Sequence, residues 1–255
     1  MSEILGLRFD LVAVDDVLAA ICEWRVHCRS DYAVLANPHS VLSARRDPEF
    51  HNAITQARLT LPDGVGISIA ARILGYGRAH RVGGPTIMRE LVDRGRAHGF
   101  RHFFYGGGPG VADRVAEQFA ITYPGLEVAG VYCPPFRSLT ADEDQQAVEF
   151  INSTRPDLVW VGLGTGKQEK WMASHVGRIQ ATALLGVGAA FDFHSGNVPW
   201  APEWIRRSGL EWAYRLIHEP RRLWRRNLDS PIFLAAVIAQ RIGMVFGRIA
   251  ERPLP

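Results

Sequence analysis

The 255 residues are 47% hydrophobic and 22% charged, which fits a globular chain with a sizeable core and excludes a disordered or fibrous one. The formal net charge is only +3, yet residues 201–255 hold ten arginines against five acids, while the rest of the chain holds 19 basic and 21 acidic residues. The excess positive charge therefore belongs to the tail and calls for an anionic partner there: a membrane surface, phosphate groups or nucleic acid.

Three cysteines, Cys22, Cys28 and Cys133, are too few and too irregularly spaced for a disulfide framework or a zinc site. Cys22 and Cys28 read as small packed hydrophobes in a reducing, cytoplasmic setting. The opening MSEILGLRFD has neither the basic n-region nor the long apolar core of a signal peptide. No unbroken run reaches the ~18–20 apolar residues of a spanning helix, so the expectation is a chain that lies on a membrane rather than crossing one.

Along the chain, strand-like runs fall at 5–14, 32–37, 57–62, 101–107, 127–132, 157–164 and 181–188. Between them lie helix-like runs at 15–26, 85–99, 110–123, 141–153 and 167–179. Several strands are continuous apolar runs ending in Gly, as expected of parallel strands buried on both faces. Alternating strands and helices predict a Rossmann-like α/β sandwich with ligands at the carboxyl ends of the strands. Composition breaks near residue 196, after FDFHSG, so the expected division is an α/β catalytic domain over 1–196 and an arginine-rich helical appendage over 197–255.

LPDGVGI places Asp63 in a Pro-Asp-Gly turn after the run at 57–62; Asp there is either a turn former or a general base held at a strand end. GGGPG follows the strand RHFFY, and its Gly106, Gly107, Gly108 and Gly110 would let backbone N–H groups approach a phosphate; a tight turn without ligand is the competing reading. DED at 142–144 matches an Asp-x-Asp metal pattern, but its position after Thr140 reads as the acidic first turn of a helix. GLGTGKQEKW repeats the strand, Gly-rich loop and helix plan, with Lys167 and Gln168 where a helix start points at a ligand. In GVGAAFDFHSG, Asp192 is placed to accept a hydrogen bond from a base or ribose, and His194 reads as structural. No metal site and no cofactor are expected.

In the tail, EPRRLWRR sits just before the most apolar run in the chain. Arg215, Arg222 and Arg225 are spaced i, i+7, i+10, which puts them on one face of a continuous helix. Residues 231–250 begin with apolar residues and turn amphipathic, with Arg241, Arg248 and Arg252 on one stripe. That reads as an interfacial helix with arginines at lipid headgroups, or as a helix packed on the domain or on another copy of the chain.

Taken together, NPHSVLSARRDPEF, LPDGVGI, RVGG, YGGGPGVADRVAE, GLGTGKQEKW, GVGAAFDFHSG and APEWIRRSGLEWAYRLIHEPRRLWRR resemble the WecG/TagA/CpsF family of bacterial glycosyltransferases, glycosyltransferase family 26. The last stretch is the most specific. The resemblance implies an inverting, metal-independent transfer of a sugar from a UDP-sugar to a polyprenyl-diphosphate-linked saccharide at the cytoplasmic membrane face. It matches Asp63 to the catalytic base, Arg81, Gln168 and Asn37 to active-site positions, and Asp192 to a uridine contact. On this reading Arg215, Arg222 and Arg225 close over the site and meet a diphosphate. Leu35 departs from the family, which often has Thr two residues before the Asn. An inverting transferase needs one base and a source of positive charge for the departing diphosphate, and the chain offers both. Two other classes compete. A nicotinamide-dependent oxidoreductase lacks the G-x-G-x-x-G fingerprint with its acid ~20 residues on. A nucleic-acid module would use the tail's arginines and aromatic residues but leaves the slightly acidic remainder unexplained, so no nucleic-acid partner is expected.

Overall fold

The computed structural model of the protein describes residues 2–77, 79–218 and 220–250, without the side chains of residues 207, 220–227 and 246–250. It opens with an antiparallel hairpin, β1 (Ser2–Ile4) and β2 (Leu7–Phe9). One strand over 5–14 is the sequence expectation. The chain instead reverses at Leu5 (φ 50°) and Gly6 (φ 88°), two successive positive-φ residues that make a tight hairpin turn.

The main sheet has six parallel strands: β3 (Asp31–Ala36), β4 (Leu59–Pro62), β5 (Arg101–Gly106), β6 (Glu127–Tyr132), β7 (Leu158–Gly162) and β8 (Ala183–Gly186). Their order across the sheet is β4-β3-β8-β7-β5-β6. Tyr32, Val34, Val159 and Val161 enter the core on one face, while Ala33, Leu35, Leu158 and Trp160 enter the core on the other. Burial of both faces is why these strands read as unbroken apolar runs. Helices α1 (Val14–Val26), α5 (Gly84–Gly95), α6 (Val111–Thr122) and α9 (Ala190–His194) cover one face. Helices α2 (Pro38–Ala44), α3 (Pro48–Thr55), α4 (Val65–Leu74), α7 (Ala141–Ser153) and α8 (Lys167–His175) cover the other. The expected α/β sandwich is the observed architecture.

DED falls in the first turn of α7, which opens with a capping box. Thr140 N donates to Glu143 (2.9 Å), and Glu143 N donates back to the Thr140 hydroxyl (3.3 Å). The Arg137 hydrogen bonds hold the Glu143 carboxyl at about 2, and Asp144 pairs with His175 and Arg178 at 2.8 Å each. All three cysteines are free, and Cys28 is exposed at a positive φ of 51°, contrary to its reading as a packed hydrophobe.

The tail forms α10 (Glu203–Ser208), α11 (Glu211–His218) and α12 (Pro220–Ala250). Residue 219, between α11 and α12, lies outside the described residues. Arg215 stands on α11 and positions 222 and 225 on α12; the Arg222 and Arg225 side chains lie outside the described residues, and with them the expected shared face of Arg215, Arg222 and Arg225. Helix α12 lies against α2 and α4. Phe233 and Val237 are fully buried in the core, as the reading of 231–250 as a helix packed on the domain expects. Gln240 accepts from Leu5 N (3.0 Å), and Arg241 donates to the Leu74 carbonyl (3.2 Å), so Arg241 is turned to the protein and not to headgroups. The far side of α12 is also apolar: Leu228, Ile232, Ile238, Ile242 and Val245 are each 41% to 55% exposed. The window Leu228–Val245, 18 residues of mean hydropathy 1.4, is long and apolar enough to cross a membrane by length and composition. The sequence expectation missed it by asking for an unbroken run, which Asp229 and Arg241 interrupt.

Candidate active site

A cleft of about 340 Å³ opens at the carboxyl ends of four neighbouring strands, β4, β3, β8 and β7. Its floor comes from the segments that follow them: Asn37 to His39, Asp63 to Gly66, Gly164, Thr165 and Gln168, and Gly186 to Ala190. Arg81 and Gly83 to Thr86 form one wall. Gly209, Glu211, Trp212 and Arg215 from the tail, with Ser230 of α12, form the roof.

Asn37 and Asp63 meet across β3 and β4. Asn37 is the N-cap of α2, with Pro38 in the first turn, and its Oδ1 accepts from Ser40 N (3.1 Å). That leaves the amide NH2 to face Asp63, and Nδ2 donates to Asp63 Oδ2 at 3.3 Å. The backbone N–H of Asp63 donates to the Ala36 carbonyl (3.0 Å), which ties the turn to the end of β3. Asp63 is half-buried, so its carboxylate is fixed yet reachable from the cleft. An oriented carboxylate at this place can take a proton from a ligand hydroxyl.

Gln168, second residue of α8, is only 4% exposed and reaches under Gly186 and Gly188. A Cβ on Gly186 would come within 2.7 Å of the Met172 methyl and 3.0 Å of Gln168 Nε2, so this position is small because the glutamine fills it. Nε2 donates to Glu169 (3.1 Å), whereas Oε1 is buried without a partner among the described residues. A buried acceptor left unpaired in a cleft wall is costly and suits a ligand N–H or O–H. Lys167, one position earlier, points away: it is exposed and does not line the cleft.

The structure separates other expected site residues from this centre. Gly106 ends β5 and Gly107, Gly108 and Gly110 follow it; β5 lies beyond β7, and none of the four lines the cleft. A Cβ on Gly106 would come within 2.7 Å of the Gly162 carbonyl, and its φ is 114°, so close strand packing and backbone conformation both favour glycine there. Asp192 sits half-buried in α9 between lining residues, outside the lining itself; its carbonyl accepts from Val198 N (3.1 Å) and Ser195 (3.2 Å). His194 Nε2 donates to the Pro85 carbonyl (2.9 Å), and burial pushes its pKa down to about 4, in keeping with a structural role.

Arg81 and Arg215 do line the cleft. Arg81 is bound by the tail: Nη1 donates to the Arg206 carbonyl (3.0 Å) and Nη2 to Glu211 (2.6 Å). The Arg215 guanidinium lies 5.0 Å from the Phe193 ring centre, with its Nε buried and unpaired among the described residues. Residues that sequence reasoning passed over also gather here. His39 Nδ1 pairs with Asp229 of α12 at 2.5 Å, and Trp212 is half exposed at the roof. His39 was in sight in the motif NPHSV; its partner, 190 residues away, was not.

Residues 2–245 match the glycosyl transferase WecG/TagA/CpsF family. Among curated proteins, an N-acetylglucosaminyldiphosphoundecaprenol N-acetyl-beta-D-mannosaminyltransferase of Bacillus spizizenii is 31% identical over 207 residues, covering 81% of this chain and 78% of its own. Proteins of the same description from Bacillus subtilis and Staphylococcus aureus are 31% identical over 207 residues and 28% over 236; the first covers 80% of this chain and 77% of its own, the second 91% and 90%. The match takes in the cleft floor and the tail that roofs it alike, and the chain belongs to the WecG/TagA/CpsF family of glycosyltransferases.

Proposed function

We propose that the protein transfers an N-acetylmannosamine-type sugar from a UDP-sugar to a polyprenyl-diphosphate-linked N-acetylglucosamine, with inversion and without a metal, at the inner face of the cell membrane. The names of the similar proteins supply the two sugars. The observation that carries the chemistry is the Asn37–Asp63 pair in the cleft. Asp63 takes the proton of the acceptor hydroxyl as its oxygen attacks the anomeric carbon. The bond from that carbon to the UDP oxygen breaks, and its electron pair leaves with the diphosphate. Arginine suits that diphosphate because its planar fork stays charged and binds two oxygens at once. Arg215, which lines the cleft, would meet it, with Arg222 and Arg225 further along the chain. Gln168 Oε1 takes a donor group of the bound sugar or base. Leu35 lines the cleft without the hydroxyl that the family often has there, so the ligand meets an apolar surface at that point. Metal independence draws on the commitment of Glu143 and Asp144 to helix capping and ion pairs. The exposed apolar side of α12 supports attachment to the membrane that holds the acceptor. The test is UDP release from UDP-N-acetylmannosamine with a short-chain prenyl-diphosphate-N-acetylglucosamine, with and without excess EDTA. Release that needs the acceptor and persists in EDTA is expected; activity lost in EDTA and restored by manganese or magnesium would overturn the metal-free mechanism.

A further inference from the structure

Arg81 is the cleft cation nearest in the chain to Asp63, and the simplest role for it is to grip a ligand phosphate. Its contacts speak against that. Both of its hydrogen bonds run to the tail, to the Arg206 carbonyl (3.0 Å) and to Glu211 Oε2 (2.6 Å). Its side chain is 27% exposed and that of Glu211 19%, so the pair is partly desolvated and its charges meet with little screening. Glu211 also lines the cleft. A free carboxylate there would repel a diphosphate, and Arg81 cancels it.

The pair sits at a junction. Gly209, which ends α10 in the left-handed conformation, rests 3.5 Å from Val65 at the start of α4, measured from the place of a Cβ. Val65 follows Asp63 by two residues. From there α11 carries Glu211 and Arg215 at i, i+4, on one helix face. Holding Glu211 therefore sets the direction of Arg215, whose Nε is buried and unpaired among the described residues.

We propose that Arg81 is a positioning residue that acts through Glu211: the pair sets the register of α11 over the cleft, and Arg215, not Arg81, meets the ligand diphosphate. This deepens the transferase reading and rests on it. The experiment is a cycle in the full-length protein: Arg81→Ala, Glu211→Ala, the double variant, and the reversal Arg81→Glu with Glu211→Arg. Glu211→Gln serves as a milder variant that keeps a hydrogen-bond acceptor. Acceptor-dependent UDP release and hydrogen exchange over residues 203–218 are measured for each. Each alanine variant is expected to lose ~10–100-fold in kcat/KM through misplacement. The double variant should be no worse than the poorer single one, and the reversal should recover at least ~10-fold over it. Exchange protection of 203–218 should fall equally in both single variants and no further in the double. Losses that multiply, or a reversal no better than the double variant, would overturn the proposal. If the unaltered protein did not transfer the sugar, the transferase reading would fail. The exchange data would still decide the Arg81–Glu211 coupling, and unchanged protection in Arg81→Ala would reject it.

Discussion

Asn37 can turn its amide only one way, because its carbonyl oxygen is used in capping α2 and its NH2 is left for Asp63. The two residues thus divide one task, and their substitution should separate its parts. Asp63→Asn should lower turnover by ~10²–10⁴-fold while UDP binding, followed by calorimetry, survives; near-normal turnover would remove Asp63 from the base role. Asn37→Ala should cost about 1 kcal/mol of stability through the lost cap and lower kcat more than it weakens UDP binding. Of the candidate site, Asp63, Asn37, Arg81, Gln168 and Arg215 were legible in the sequence and do line the cleft. The glycines at 106–110 show why the rest was not. A Gly-rich strand-to-helix turn looks the same whether it serves a phosphate or a close strand crossing, and the position of β5 one strand beyond the cleft is a property of sheet order. Lys167 and Gln168 likewise adjoin in sequence yet point to opposite sides of a helix start, one to solvent and one into the cleft wall.

Helix α12 has two apolar faces, and composition alone does not say which one meets protein. The docked face holds Phe233 and Val237, and Phe233→Ala should cost ~3–5 kcal/mol as a core truncation, read from chemical denaturation. The open face holds Ile232, Ile238 and Ile242, about half exposed. Changing all three to Ser should leave the denaturation midpoint nearly unmoved and release the protein from vesicles containing anionic phospholipid. Retained vesicle binding would place the attachment elsewhere, for instance at Trp204 and Ile217, which are 70% and 76% exposed. An amphipathic period is visible at 231–250, but lipid and protein core select the same residue types, so the sequence leaves both readings open, and Phe233 and Val237 take the packed one. Arg241 is ambiguous for a related reason: a long side chain can run along a helix to the Leu74 carbonyl, as it does here, as readily as to a headgroup.

The whole molecule carries two histidines that fold in their neutral form. Burial pushes His102 down to about 3 and His194 to about 4. His102 Nδ1 accepts from the Trp160 indole at 3.0 Å, deep in the sheet. Both groups bind a proton more readily when unfolded, where they titrate near ~6.5, than when folded. Stability is therefore undiminished by them above ~6.5 and falls as pH drops from there toward 4 and 3, by roughly 2 kcal/mol for each histidine between pH 7 and pH 5. Urea denaturation at the two pH values checks this, and equal midpoints would reject it. At this scale the α/β class, most strands and the basic tail were readable, since each rests on a repeating pattern. The strand order was not, because it depends on which distant strands pair. That order has a consequence for how the chain is made. The strand synthesised last, β8, stands between β3 and β7 and is the only link between a two-strand piece (β4 and β3) and a three-strand piece (β7, β5 and β6). Until residues 183–186 leave the ribosome, both pieces expose an unpaired apolar edge, Tyr32 to Val34 on one and Leu158 to Val161 on the other. A nascent chain stalled before that strand would be two sticky half-sheets, prone to pair with other chains and dependent on chaperones.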